Sequence, residues 1–292
     1  MTIRTPTRPI SDATRAGDRL TERDAEVLRL LAEHQVLTIG QLAVALFPDV
    51  RKCRSRVAVL RALKLVETFR PPLQRGSSQA HCVATARTLD LLSTDADGSR
   101  LRRRSTYDAA AIALRPDLGH LRGVNEVFCQ LLGYARQTPG AMLETWRSER
   151  ATARALGTRL RPDGFGRWRQ NDAKCEFFLE YDTGTEPHAR LLAKLTGYAD
   201  LAESAGVSCP VLFWLPNAHR ENHFHRRLVD HPPRVPVATA YGDPSRTDPS
   251  RTGPAGPTWR PAWSPSSQLP LAALGASAAQ HLGIPQSSHI LL

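Results

Sequence analysis

Residues 161–198 read RPDGFGRWRQNDAKCEFFLEYDTGTEPHARLLAKLTGY, and the order of acids and apolar runs within them decides the fold. Asp163 follows Pro162 at a strand-like position. Glu180 and Asp182 close an apolar strand, and a helix carrying Lys194 comes next. On that helix Leu191, Leu195, Tyr198 and Ala202 form the stripe expected to be buried, and Lys194 lies about 60° from its centre, towards the sheet. Hard carboxylate oxygens on neighbouring strands suit a Mg²⁺ ion, and a metal-bound water is a ready nucleophile. Asp163 and Glu180 are therefore candidate ligands, with the Tyr181 carbonyl as a further oxygen. The same residues admit a structural reading. Asp163 is then the turn residue of Pro-Asp-Gly, while Glu180 and Asp182 are strand-end charges, solvated or paired with Arg190.

Working outward, the pattern predicts a helix LGHLRGVNEVFCQLLGYARQ from residue 118, a strand near Ala141–Arg147 and another at Thr158–Pro162. The FFLEY strand, the KLTGY helix and a strand CPVLFWLP follow. Helix–strand–strand–strand–helix–strand is an α/β core of the restriction-endonuclease-like type, placed at residues 119–230.

Upstream, Thr21 is positioned to N-cap a helix, with Asp24 completing a capping box. A short helix IGQLAVALF stops at Pro48, and Asp49 caps a third, VRKCRSRVAVLRALKLV. Two strand-like segments, VETFR and AHCVAT, flank a Pro-Pro/Gly-Ser turn. Three helices and a ribbon are the order of a winged helix-turn-helix, spanning 20–92. On the third helix Val50, Cys53, Val57 and Leu60 share one face. Arg51 and Arg54 are candidates for base edges, and Lys52, Arg56 and Arg61 for phosphates. Arg70 and Arg75 mark a wing that can reach the minor groove or backbone. The alternative is a winged helix used for protein contact, with its arginines solvated.

The form PDG…FFLEYDTGTE…KLTGY, with its surroundings over roughly residues 20–230, resembles the replication-relaxation family of mobile-element proteins. Its core resembles the PD-(D/E)xK nuclease-like fold. The resemblance implies a part in plasmid replication or relaxation, and a site built on Asp163 and Glu180. Glu126 stands where a helix Glu often joins the metal ligands. The nuclease pattern has Lys two residues after the strand Glu; here Asp182 takes that place, and Lys194 is the candidate substitute. His120 and Asn125 look like positions this family uses at its core or site.

The formal net charge of +11 favours an anionic partner, and double-stranded DNA of a plasmid or mobile-element origin is the first expectation. Replication or transfer proteins are further expected partners. Only Lys52, Lys64, Lys174 and Lys194 of the 39 basic residues are lysines, a bias that codon usage also produces. Five scattered cysteines form no CxxC pair, which argues against a zinc ribbon or disulfide framework and for reduced thiols. No apolar run is long enough to cross a membrane, and the first residues lack a signal-peptide core, so a cytoplasmic location is expected. The chain shows no P-loop, dinucleotide fingerprint or nucleophile elbow. His219, His223 and His225 are spaced HxxxHxH, but a solvated basic helix is the simpler reading, with Arg220, Arg226 and Arg227 able to hold a DNA backbone.

The expected organisation is a disordered basic arm (1–19), the winged helix (20–92), a linker (93–118), the nuclease-like domain (119–230) and a Pro/Ser-rich, mostly disordered tail (231–292). Three functions fit it: a Mg²⁺-dependent nuclease or nickase, a non-catalytic DNA-binding regulator or replication accessory, and a transcription factor with a ligand-sensing α/β domain.

Overall fold

The computed structural model describes residues 20–71, 78–94, 109–157, 160–205, 209–245 and 253–283. The arm, most of the linker and Arg75 lie outside them. In chain order the helices are α1 (Glu22–His34), α2 (Ile39–Leu46), α3 (Val50–Ala62), α4 (Ala86–Thr94), α5 (Ala109–Ala113), α6 (Leu118–Gln137), α7 (Glu149–Leu156), α8 (His188–Ala205), α9 (Ala218–Asp230) and α10 (Leu271–Leu282). The strands are β1 (Leu37–Thr38), β2 (Val66–Phe69), β3 (His81–Ala84), β4 (Ala141–Ser148), β5 (Gly164–Gln170), β6 (Ala173–Tyr181), β7 (Val211–Leu215), β8 (Val237–Tyr241) and β9 (Arg260–Pro261). The chain is a mixed α+β protein that divides into two units, Met1–Ile39 with Asp49–Leu114 and Gly40–Pro48 with Arg115–Leu292.

In the first unit the start signals act as the sequence predicts. Thr21 and Asp24 form a reciprocal capping box on α1, and the Asp49 side chain accepts the Lys52 N–H at 2.8 Å to start α3. Both helices bury one stripe: Val27, Leu28 and Leu31 on α1, and Cys53, Val57 and Leu60 on α3. Val50, expected on the buried face of α3, is 41% exposed, because it occupies the first helical position where the chain is still entering from solvent. The antiparallel sheet runs β1-β3-β2, with Val66 opposite Ala84 and Leu37 opposite Cys82.

The second unit is built on a mixed sheet of order β4-β5-β6-β7-β8-β9. β4, β5 and β6 pair antiparallel. β6, β7 and β8 are parallel, joined through α8 and α9, and β9 returns antiparallel on β8. Alternation along the central strands feeds two cores. Phe177, Leu179, Leu212 and Trp214 pack with Val127 and Phe128 of α6 and Leu271 and Leu274 of α10. Phe178, Val211, Phe213 and Leu215 pack with Leu191 and Leu195 of α8 and Phe224 of α9. A sheet covered on both faces needs such unbroken apolar strands. Most of α2 belongs to this unit: Gln41 Nε2 donates to the Arg122 carbonyl at 2.8 Å, and Arg136 Nη1 donates to the carbonyls of Val44 and Phe47 at 2.9 and 2.8 Å.

Three expectations need correction. The strand foreseen at Thr158–Pro162 is displaced to Gly164–Gln170, and the unforeseen α7 precedes it; Gly157, left-handed at φ 64°, ends that helix. Helix α5 stands inside the stretch 93–118 read as linker. The segment read as a mostly disordered tail from residue 231 instead supplies β8, β9 and α10, with Trp259, Leu271 and Leu274 buried. Its prolines sit at or beside these short elements rather than preventing them: Pro236 precedes β8, Pro261 lies in β9 and Pro270 N-caps α10. Residues 246–252 and 284–292 lie outside the described residues.

Candidate functional site

The register of β5 on β6 builds the centre of the second unit. Gly164 pairs with Leu179, and the same register carried one step further sets Asp163 beside Glu180. Asp163 Oδ2 accepts the Tyr181 N–H at 2.8 Å, and Asp163 Oδ1 lies 3.1 Å from His120 Nε2 near the start of α6. Glu180 is 2% exposed, and both its oxygens are engaged from α8. Lys194 Nζ donates to Oε2 at 2.7 Å and the Tyr198 hydroxyl donates to Oε1 at 2.5 Å. Lys194 also lies 3.6 Å from Glu186. Lys194 and Tyr198 are four residues apart, so one face of α8 delivers both donors.

The electrostatics follow from burial and crowding. Burial, then the neighbouring Asp163, pushes the Glu180 carboxyl up to about 7, against the downward pull of Lys194 and Tyr198. Burial works against the Lys194 ammonium, but Glu180 and Asp163 outweigh it and hold its proton more tightly than usual. Burial likewise opposes a charged His120, yet its hydrogen bond to Asp163 raises it above the ordinary imidazole value. Tyr198 is raised by burial and by the Glu180 charge, so it stays a phenol donor. A buried acid, a cation and a titratable imidazole in one partly open cluster are the materials of acid–base chemistry.

Of the residues singled out from sequence, the structure brings together Asp163, Glu180 and Lys194. Asp182 is engaged elsewhere: its Oδ1 accepts the Gly184 N–H at 2.8 Å, its Oδ2 takes the Arg220 guanidinium, and Arg220 also reaches the Glu186 carbonyl. Gly184 sits at φ 90° in this turn, a conformation that favours glycine. Glu126 accepts from Gln130 at 2.7 Å, and burial raises its carboxyl. Among the described residues no group of three or more His, Cys, Asp or Glu side chains is arranged to hold a metal. Each carboxylate oxygen of Asp163 and Glu180 faces a protein donor: His120, the Tyr181 N–H, Lys194 and Tyr198. Tyr198 and Glu186 were not foreseen as site residues; the four-residue step from Lys194 to Tyr198 was the signal for the first.

On α3, Arg51, Lys52, Arg54 and Arg61 are exposed, with Arg51 opposite the buried stripe and the other three on its flanks. Arg56, expected at a phosphate, is instead tied to the fully buried Asp24, with Nε donating at 2.6 Å and a second contact from its terminal nitrogen. Arg70 is exposed and donates to the Ser78 carbonyl. His225 is also corrected: it is buried on α9, 2.9 Å from Thr239, while His219 and His223 stay outside with ring centroids 4.6 Å apart.

Among the described residues no helix is long and apolar enough to cross a membrane. No curated protein and no solved structure gives a match to the chain. The family model described as Replication-relaxation matches residues 28–213, a span that takes in α3, the Asp163–Glu180 pair and the Lys194 helix, and the chain belongs to the replication-relaxation family.

Proposed function

We propose that this chain is a DNA-binding protein acting in replication or relaxation of a plasmid or mobile element, with its first unit working as a winged helix. The observation that carries the reading is the arrangement of α3. Four cations are exposed on a helix buried through Cys53, Val57 and Leu60: Arg51, Arg54 and Arg61 on neighbouring sides, and Lys52 on the other flank. A rigid helix presenting arginines to solvent can enter a major groove, where guanidinium forks suit guanine edges and phosphates alike. The formal charge of +11 supplies the long-range attraction. Family membership supports the setting in which such binding operates.

The test is fluorescence anisotropy of a labelled duplex against the full chain over a salt series. Each phosphate contact contributes roughly −0.9 to the log–log slope, so Arg51→Ala with Arg54→Ala should flatten the slope and weaken binding without unfolding the protein. Binding that ignores both salt and these substitutions would remove the reading.

A second reading, phosphodiester cleavage on a nuclease-like second unit, is favoured by the convergence of Asp163, Glu180 and Lys194. In it a water attacks phosphorus and its proton passes to solvent, Lys194 holds a non-bridging oxygen, and His120, oriented by Asp163, protonates the sugar oxygen as its P–O bond breaks. The check is nicking of supercoiled plasmid, with and without Mg²⁺, by the wild type and by Asp163→Asn. Intact plasmid under every condition leaves the binding reading alone.

A further inference from the structure

His188 at the start of α8 and His223, Arg226, Arg227 and Asp230 on α9 line a surface cleft of about 400 Å³ in the second unit. Arg226 and Arg227 are exposed, and neither is ion-paired among the described residues. Asp230 is the one acid in the lining against two guanidinium groups, which leaves an excess of positive charge even with both imidazoles neutral. Other arginines of this region are committed, Arg220 to Asp182 and Arg234 to Glu203. His188 Nε2 is shielded and has no hydrogen-bond partner, and burial together with Arg220 disfavours its charged form. The cleft therefore offers two unspent guanidinium forks, which suit the oxygens of a phosphate.

We infer that this cleft is a phosphate-binding site of the second unit and that its occupant is the DNA backbone. The inference rests on the DNA reading above and gives the second unit its own grip on the duplex, separate from α3. Because the arginines bind phosphate oxygens rather than base edges, the grip is indifferent to sequence.

The experiment uses the full chain as wild type and as the double variant Arg226→Gln, Arg227→Gln. Both arginines are exposed, so the variant should keep the wild-type thermal midpoint. Binding of a fluorescein-labelled duplex over a salt series should show a slope shallower by about 1.8, the loss of two phosphate contacts, and affinity at low salt reduced about tenfold or more. A random-sequence duplex should lose as much as any preferred one. Inorganic pyrophosphate, titrated calorimetrically, separates the sources. Heat with wild type but not the variant, with unchanged duplex binding, overturns the backbone assignment in favour of a free phosphate ligand. A wild type that binds duplex while the variant keeps both slope and affinity, with no pyrophosphate heat, overturns the site. A wild type that binds no duplex sinks the proposed function, and the backbone assignment goes with it.

Discussion

Lys194 Nζ lies 2.7 Å from Glu180 Oε2, so a carboxylate that is 2% exposed faces a cation and a tyrosine hydroxyl instead of water. Removing one partner of such a pair strands the other in a poorly solvated place. Lys194→Met should therefore destabilise the second unit by about 3 kcal/mol, the low end for a buried pair because the lysine is partly exposed. Lys194→Met combined with Glu180→Gln should recover most of that loss. Urea unfolding midpoints read both; an unchanged midpoint in Lys194→Met would show that the contact carries no stability.

The same carboxylate gives a pH signature. Burial and Asp163 lift Glu180 to about 7 from the 4.5 of an ordinary Glu. Between those values the native state holds more protons than the unfolded chain. The stability this group contributes is thus complete below pH 4.5 and lost as pH rises through 7. Glu180→Gln removes the titration, so the stability of wild type minus that of the variant should fall as pH rises across the window. His34 and His225, held low by burial, titrate in both proteins and cancel in the difference, whereas His120, which the Glu180 charge helps to raise, shifts with the substitution and belongs to the same signature. A flat difference would contradict the assignment.

Arg56 and Arg54 differ by two positions and separate structure from binding. Arg56 neutralises Asp24, which is 0% exposed and also caps α1 through Thr21. Arg56→Ala should cost about 2–3 kcal/mol by leaving that buried acid short of donors, whereas Arg54→Ala should stay within about 0.5 kcal/mol and instead lower DNA affinity. Thermal melts and anisotropy on both variants check the split. Equal loss of stability in the two would erase it.

This pair also marks what a sequence can disclose. The 100° step of α3 placed Arg54 outside the buried stripe, where it is exposed, because periodicity is local. It could not reveal that Asp24, 32 residues earlier, would lie beneath Arg56, since that contact depends on how α1 and α3 pack. The site behaves alike. Asp163, Glu180 and Lys194 were legible because strand ends and helix spacing set them. The removal of Asp182 by Arg220 was not legible, since it needs α9 folded back beside the turn after β6. Downstream, averaging over prolines hid Val237–Tyr241 and Leu271–Leu282, short elements that are stable only against a sheet already formed.

Gly123 is a close-packing position in α6. A Cβ there would lie 2.2 Å from the Tyr181 ring, whose edge contacts His120 with centroids 6.0 Å apart. Alanine gains helix propensity of up to about 1 kcal/mol but forces the ring to move, so Gly123→Ala should be destabilising by about 1–2 kcal/mol net. Adding Tyr181→Ala opens the space and should relieve the strain component. If Gly123→Ala is instead more stable than wild type, the ring gives way freely and does not buttress His120.

The C-terminal segment offers the sharpest test of the fold. Trp259 is 1% exposed, meets Trp214 edge-on with centroids 5.3 Å apart, and donates Nε1–H to the Pro254 carbonyl at 2.8 Å. Helix α10 lies so close to β6 that a Cβ on Gly275 would come within 2.1 Å of the Lys174 carbonyl. Arg260 is anchored to the buried Glu221 at 3.2 Å, which fixes β9 against α9. A segment placed this way covers one face of the sheet. Trp259→Ala should therefore cost about 3–5 kcal/mol, the range for a buried aromatic removed from a core that only partly collapses. A chain ending at residue 252 should lose cooperative unfolding of the second unit altogether, because Leu271 and Leu274 leave with it and expose Phe177, Leu212 and Trp214 to water. Calorimetry and a hydrophobic dye read the two variants. If the shortened chain melts as sharply as the full one, residues 253–283 are an appendage and not part of the core.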